Sequence, residues 1–179
     1  GKGTLLSALK AQFPESLSVA VSHTTRQPRQ GEKDGVHYHF VSKEQFQKDI
    51  EDGKFIEHAG NYGDLYGTSK QAVKDVAEQH KICLLEIDYV GVKLVKESNI
   101  EANYLFITVK GEAESCRKRI EGRGTESAEQ IEKRYQTAIS EFEFFREHPE
   151  FFDAFISNDD LERSKKEIID LFKEWYSWL

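Results

Sequence analysis

Lys81 to Ile87 (KICLLEI) is a near-continuous apolar run, the pattern of a strand covered on both faces. A strand of that kind needs helices on either side of its sheet. Tyr104 to Val109 (YLFITV) repeats the pattern, and Phe151 to Ser157 reads as the last strand. Helical periodicity fills the gaps, over Val90 to Lys96, Ala113 to Glu121, and a longer segment capped by Ser127 with Gln130. That longer segment carries the stripe Ile131, Tyr135, Ala138, Ile139, Phe142 and Phe145, which reads as core packing and stops before Pro149. Asn158, Asp159 and Asp160 turn into a closing helix. Buried strands alternating with helices imply a parallel sheet in a three-layer α/β core.

The first half reads differently. Thr4 to Phe13 is a helix ended by Pro14, and Ser18 to Val21 is a short strand. Residues 22–68 are mostly short strands and turns: His37 to Val41, Phe55 to Ala59 and Asp64 to Thr68 read as strands. Ser42 with Gln45 opens the one helix among them, and Gly53 closes it. Thr68 with Gln71 repeats the capping pattern before a helix to about Gln79.

Composition narrows the partners. A net charge of −7 over 179 residues excludes the broad basic surface that nucleic-acid binding needs. A cleft with a local positive field can still hold a small anion. No run approaches the roughly 18 apolar residues of a membrane helix. Cys83 and Cys116 make no disulfide framework and read as packed thiols. The sequence opens at Gly1 without methionine, already inside a loop entering a helix, and reads as a fragment whose natural start lies upstream.

The chemistry concentrates in Ser22 to Phe40 (SHTTRQPRQGEKDGVHYHF). Arg26 and Arg29 sit in a turn-rich segment where their planar forks can converge on one anion, and the Tyr38 hydroxyl can add a neutral donor. Of the chain's eight arginines, six fall in two places: this turn, and Arg117, Arg119, Arg123 and Arg134. Two clusters of forked donors point to two phosphate-holding sites. Gly1-Lys2-Gly3-Thr4 resembles the last part of a phosphate-binding loop, in which backbone N–H groups and a helix N-terminus hold phosphates. Glu86 and Asp88, two apart near the end of the apolar run, share one side of a strand and are candidates for binding a metal, its waters or a base.

Seven motifs in order resemble those of guanylate kinases: GKGTL at 1–5, VSHTTRQPRQGEKDGVHYHF at 21–40, FIEHA at 55–59, YGT at 66–68, EIDYVGV at 86–92, KRIEGRGTE at 118–126 and SNDDL at 157–161. The resemblance covers essentially the whole chain. It implies a P-loop kinase core (1–21, 80–121 and 139–179), an inserted mixed α/β GMP-binding subdomain (22–79) and a helical lid (122–138). It also implies transfer of the γ-phosphoryl of ATP to GMP or dGMP, with Mg²⁺ as cofactor, in a cytoplasmic monomer or weak homodimer. By position, Arg26, Arg29, Tyr38 and Tyr66 match the clamp on the GMP phosphate; Ser22, Glu57, Thr68 and Asp88 match the guanine contacts. Gly1, Lys2, Gly3 and Thr4 match the ATP phosphate loop, and Asn158 a contact near adenine. Lys2, Arg119, Arg123 and Arg134 match the catalytic cations.

The chain departs from the pattern in places. Val90 stands where Gln is frequent, Glu86 where Asp is, and Thr68 where Ser is; Gly3 lacks the hydroxyl found beside the loop lysine, which leaves the Mg²⁺ ligands unassigned. Two other readings compete: a catalytically weak guanylate-kinase-like module for protein interaction, and a kinase for another phosphorylated acceptor. Retention of Lys2 and the lid-side arginines argues against the first, and Glu57 with Ser22 against the second.

Overall fold

A computed structural model describes residues 1–61, 63–122, 124 and 127–179. The fold is mixed α/β. Its elements in chain order are α1 (Lys2–Gln12), β1 (Leu17–Val19), β2 (His23–Thr24), β3 (His39–Phe40), α2 (Lys43–Glu51), β4 (Phe55–Asn61), β5 (Asp64–Ser69), α3 (Lys70–Glu78) and β6 (Ile82–Leu84). They continue with α4 (Tyr89–Glu97), β7 (Leu105–Thr108), α5 (Glu112–Glu121), α6 (Ala128–Glu147), β8 (Ala154–Ser157) and α7 (Leu161–Trp175). The chain divides into two compact units, one of Phe13–Glu101 and one of Gly1–Gln12 with Ala102–Leu179.

In the Phe13–Glu101 unit, β1 pairs in parallel with β6, Leu17 opposite Ile82. A second sheet runs β3-β2-β5-β4, with β2 parallel to β3 and antiparallel to β5. The ring of Phe46 on α2 stacks on Phe55 of β4 at 4.6 Å, and α4 packs on β4. Ser42 caps α2 by accepting from the Gln45 N–H, as its spacing predicts. The cap of α3 falls elsewhere than expected. Ser69, not Thr68, accepts from the helix, at the Ala72 N–H, because the Thr68 hydroxyl points across the sheet to Glu57.

In the other unit, β7 and β8 form a parallel pair, Leu105 opposite Ala154. Helices α5 and α6 pack through Val109, Ala113, Ala138 and Phe142, with Phe106, Tyr135 and Ile139 against them. Phe106 stacks on Phe145 at 4.2 Å. Phe144, outside the expected stripe, is also buried and meets Phe151 edge-on. Ser127 and Gln130 form the full reciprocal capping box at the start of α6. Helix α1, with Leu5 and Leu9 fully buried, packs on α7.

Several elements differ in length from what the sequence predicts. β6 stops at Leu84, so Glu86 and Asp88 lie beyond the strand; Asp88 instead caps α4. The last strand starts at Ala154 because Pro149–Phe151 forms a 3₁₀ turn. β3 is limited to His39–Phe40, since His37 still bonds back to Lys33 within the preceding turn. α1 begins at Lys2 rather than Thr4. The strands are also less covered than expected: every residue of β7 is half-buried, and only Leu84 of β6 is buried. Among the described residues no helix is long and apolar enough to cross a membrane.

Candidate active site

Strand β5 organises the first constellation. Tyr66 and Thr68 are two apart and share a face of the sheet. Thr68 stands opposite Glu57 on β4, while β2 on the other edge sets His23 opposite Gly67 and Thr24 opposite Tyr66. That register brings the Ser22 Oγ to 3.0 Å from Thr68 Oγ1. Thr68 in turn donates to Glu57 Oε1 at 2.5 Å. A hydroxyl has one hydrogen. Thr68 spends its own on Glu57, so Ser22 donates to Thr68 and the relay runs in one direction.

Glu57 is buried, with 6% of its surface exposed. Burial pushes its carboxyl above the usual range; the Thr68 hydrogen bond pulls it down, and the charge of Asp88 pushes it further up. Its second oxygen faces the start of α4. A Cβ at Gly91 would stand 3.0 Å from Glu57 Oε2 and 3.0 Å from the Ile87 Cβ. Glycine there lets the helix approach the carboxylate. Asp88 holds that helix start by accepting from the Gly91 N–H at 2.9 Å.

The second constellation is continuous with the first along β5. The Arg26 guanidinium lies 5.6 Å from the Tyr38 ring centroid. The rings of Tyr38 and Tyr66 meet edge-on at 6.0 Å. Burial, then Tyr66, raise the Tyr38 hydroxyl above its ordinary value, so it stays a proton donor at neutral pH. Two anchors hold the turn, and neither is visible in the sequence. The buried Thr24 hydroxyl accepts from the Arg26 N–H and donates to the Leu65 carbonyl. Glu32 accepts from Arg26 Nη2 at 2.9 Å and from the Arg29 N–H at 2.7 Å. Arg29 itself is exposed on the turn.

A third group forms in the other unit. Lys2 opens α1, with its Nζ 3.7 Å from Glu141 Oε1 on α6. Arg119 on α5 donates through Nη2 to the Asn158 carbonyl at 2.8 Å. The Asn158 side-chain amide crowds Gly1 so closely that a Cβ there would sit 2.3 Å from Nδ2. Gly1, Lys2, Arg119 and Asn158 are thus gathered at the N-terminus of α1, a helix end that favours anions. Gly3 and Thr4 lie in the exposed first turn of the same helix. Arg134 is half-buried on α6, and Arg123 lies outside the described residues. Glu141 has no signature in the sequence beyond its charge. Among the described residues no three His, Cys, Asp or Glu side chains form a metal cage.

Comparisons with known proteins bear on this geometry. The family described as guanylate kinase matches residues 1–175. The guanylate kinase of Schizosaccharomyces pombe is 45% identical over 168 residues, covering 94% of this chain and 82% of that protein. Guanylate kinase 1 of rice is 43% identical over 162 residues, covering 90% of this chain; the chain spans 42% of the rice protein's length. A crystal structure of guanylate kinase from Anaplasma phagocytophilum superposes with a TM-score of 0.70 at 28% identity, covering 94% of this chain and 80% of that one. Fold and matches together put the chain among the nucleotide kinases. Within that class it belongs to the guanylate kinase family.

Proposed function

We propose that this chain transfers the γ-phosphoryl group of ATP to GMP or dGMP, releasing ADP and GDP. One observation carries the reading: within a single unit, the Ser22–Thr68–Glu57 relay and the Arg26–Tyr38–Tyr66 cluster follow one another along β5. A base reader next to an anion clamp fits a nucleoside monophosphate. Guanine presents N1–H and N2–H donors on one edge, and a carboxylate at Glu57 accepts both. Adenine offers an acceptor at N1 and would leave Glu57 facing a lone pair, a mismatch that discriminates strongly. Ser22, Thr68 and Asp88 complete the base contacts, while Arg26, Arg29, Tyr38 and Tyr66 hold the phosphate.

On the donor side, Gly1, Lys2, Gly3 and Thr4 cradle the ATP phosphates at the α1 N-terminus, and Asn158 lies toward adenine. Phosphoryl transfer asks for in-line placement and charge neutralisation more than for covalent chemistry. Lys2, Arg119, Arg123 and Arg134 supply cations around the transferring group. Mg²⁺ brought in with ATP neutralises charge on its phosphate oxygens when bound. The family's three-part organisation belongs to the same proposal: a three-layer core around a parallel sheet, a GMP-binding subdomain over 22–79 and a lid over 122–138. The parallel pairings β1 with β6 and β7 with β8 support the core. Arg119 held on Asn158 beside Gly1, with Lys2 next in the chain, favours a kinase over a pure interaction module.

The test is ADP release with each nucleoside monophosphate in turn. GMP is expected to exceed AMP in kcat/KM by at least about 100-fold, in the range a polar base-reading site provides. Equal turnover of the two overturns the proposal.

A further inference from the structure

Among the described residues, Glu32 is the one carboxylate bonded to both halves of the arginine turn. Its Oε1 accepts from Arg26 Nη2 at 2.9 Å and its Oε2 from the Arg29 N–H at 2.7 Å. Its own N–H donates to the Arg29 carbonyl at 3.0 Å, which closes the turn. The side chains of Arg26 and Glu32 are only 14% and 17% exposed. A partly shielded, charge-assisted pair of this kind is among the stronger side-chain contacts.

A guanidinium has five N–H donors. Arg26 spends one on Glu32 and, through Nη1, one on the Gln27 carbonyl at 2.7 Å. The guanidinium is therefore pinned along one edge by Glu32 and Gln27, while it also lies over the Tyr38 ring. Three donors remain for a ligand. With the rotamer already fixed, an arriving phosphate need not order a long, flexible side chain, which spares the entropy that immobilising it on binding would cost.

We propose that Glu32 is a positioning residue for the phosphate clamp. It holds the Arg26 guanidinium and the Arg29 turn in the arrangement that receives a phosphate monoester dianion, and it stays in place when that ligand binds. The inference rests on the GMP reading given above. Two simpler roles for Glu32 make opposite demands on experiment. Were it only an opposing charge, removing it would raise the clamp's positive charge and tighten GMP. Were it only a stitch in the local fold, removing it would weaken every ligand of this unit, with or without a phosphate.

Calorimetric titration of the whole chain with GMP and with guanosine separates these. Guanosine keeps the base and lacks the phosphate. Glu32→Gln keeps one acceptor for Arg26 but gives up the charge and the bond from Arg29. It is expected to weaken GMP by about 10-fold or more, as loss of charged hydrogen bonds does, and to leave guanosine within about 2-fold. Glu32→Asp keeps the charge on a shorter stem that cannot reach both partners, and is expected to weaken GMP as well with guanosine again unmoved. Tighter GMP in Glu32→Gln, an unchanged GMP affinity, or parallel losses for GMP and guanosine each overturn the inference. A wild-type chain that binds guanosine and GMP equally overturns the functional reading first, and this one with it.

Discussion

Glu57 is held in a place that disfavours its charge. Burial raises its pKa above that of a glutamate in the unfolded chain, so the folded state binds the proton more tightly. The stabilising contribution from this group is complete below the ordinary glutamate value and is lost as pH rises through the raised one. At neutral pH its ionisation therefore costs stability. Glu57→Gln is expected to raise Tm at pH 7.5, with the gain shrinking as pH falls toward the ordinary glutamate range. The same variant is expected to lower kcat/KM for GMP by about 100-fold or more, because an amide nitrogen meets the base's donors. Thermal denaturation at two pH values checks the first claim, and a Tm that falls at pH 7.5 refutes it. Residues of this kind were legible by resemblance because their motifs stand intact. Glu32 and Thr24 were not. A glutamate six positions past an arginine looks like surface charge until the turn folds the two together, and a threonine in a two-residue strand carries no mark of its bond to the Leu65 carbonyl.

At the scale of elements, adjacent hydroxyls divide the labour at the β5–α3 junction. Ser69 adopts the extended backbone of an N-cap and accepts from the Ala72 N–H at 3.1 Å. Thr68 faces Glu57. Ser69→Ala is expected to cost about 1 kcal/mol of unfolding free energy in urea, as lost caps do, with the affinity for GMP within 2-fold. Thr68→Val is expected to do the reverse at the site, leaving Ser22 without its acceptor and weakening GMP by about 10-fold. A pair of variants with interchanged effects would refute this assignment. Sequence placed the caps at Ser42 and Ser127 correctly, where one hydroxyl stands in the right register. At 68 and 69 two candidates adjoin, and only the cross-strand partner decides between them. The apolar run at 81–87 misled for a related reason: hydrophobicity continues through Leu85 and Ile87, but Asp88 starts a helix and the ladder ends at Leu84.

For the whole molecule, the residues assigned to each nucleotide separate cleanly. Every residue of the proposed GMP site lies in the Phe13–Glu101 unit, and every described residue of the proposed ATP site lies in the other. Ligands protect the parts of a native state that they hold together. In hydrogen exchange, GMP alone is expected to slow amides in β2, β4 and β5. A non-hydrolysable ATP analogue alone is expected to slow those at the start of α1 and around Asn158. GMP slowing α1 as strongly as β5 would contradict the division. The alternation of strands and helices that signals an α/β fold was plain in the sequence, and both parallel pairs follow from it. The lengths of those strands were not, because capping and turn chemistry at their ends overrides the apolar pattern.

The tether between Arg119 and Asn158 ends on a main-chain oxygen. Swapping the amino acid at 158 thus trims only the amide that crowds Gly1, and the guanidinium keeps its anchor through any such exchange. Mutagenesis at this one site can test the proposed contact of the amide with a purine without unmooring Arg119.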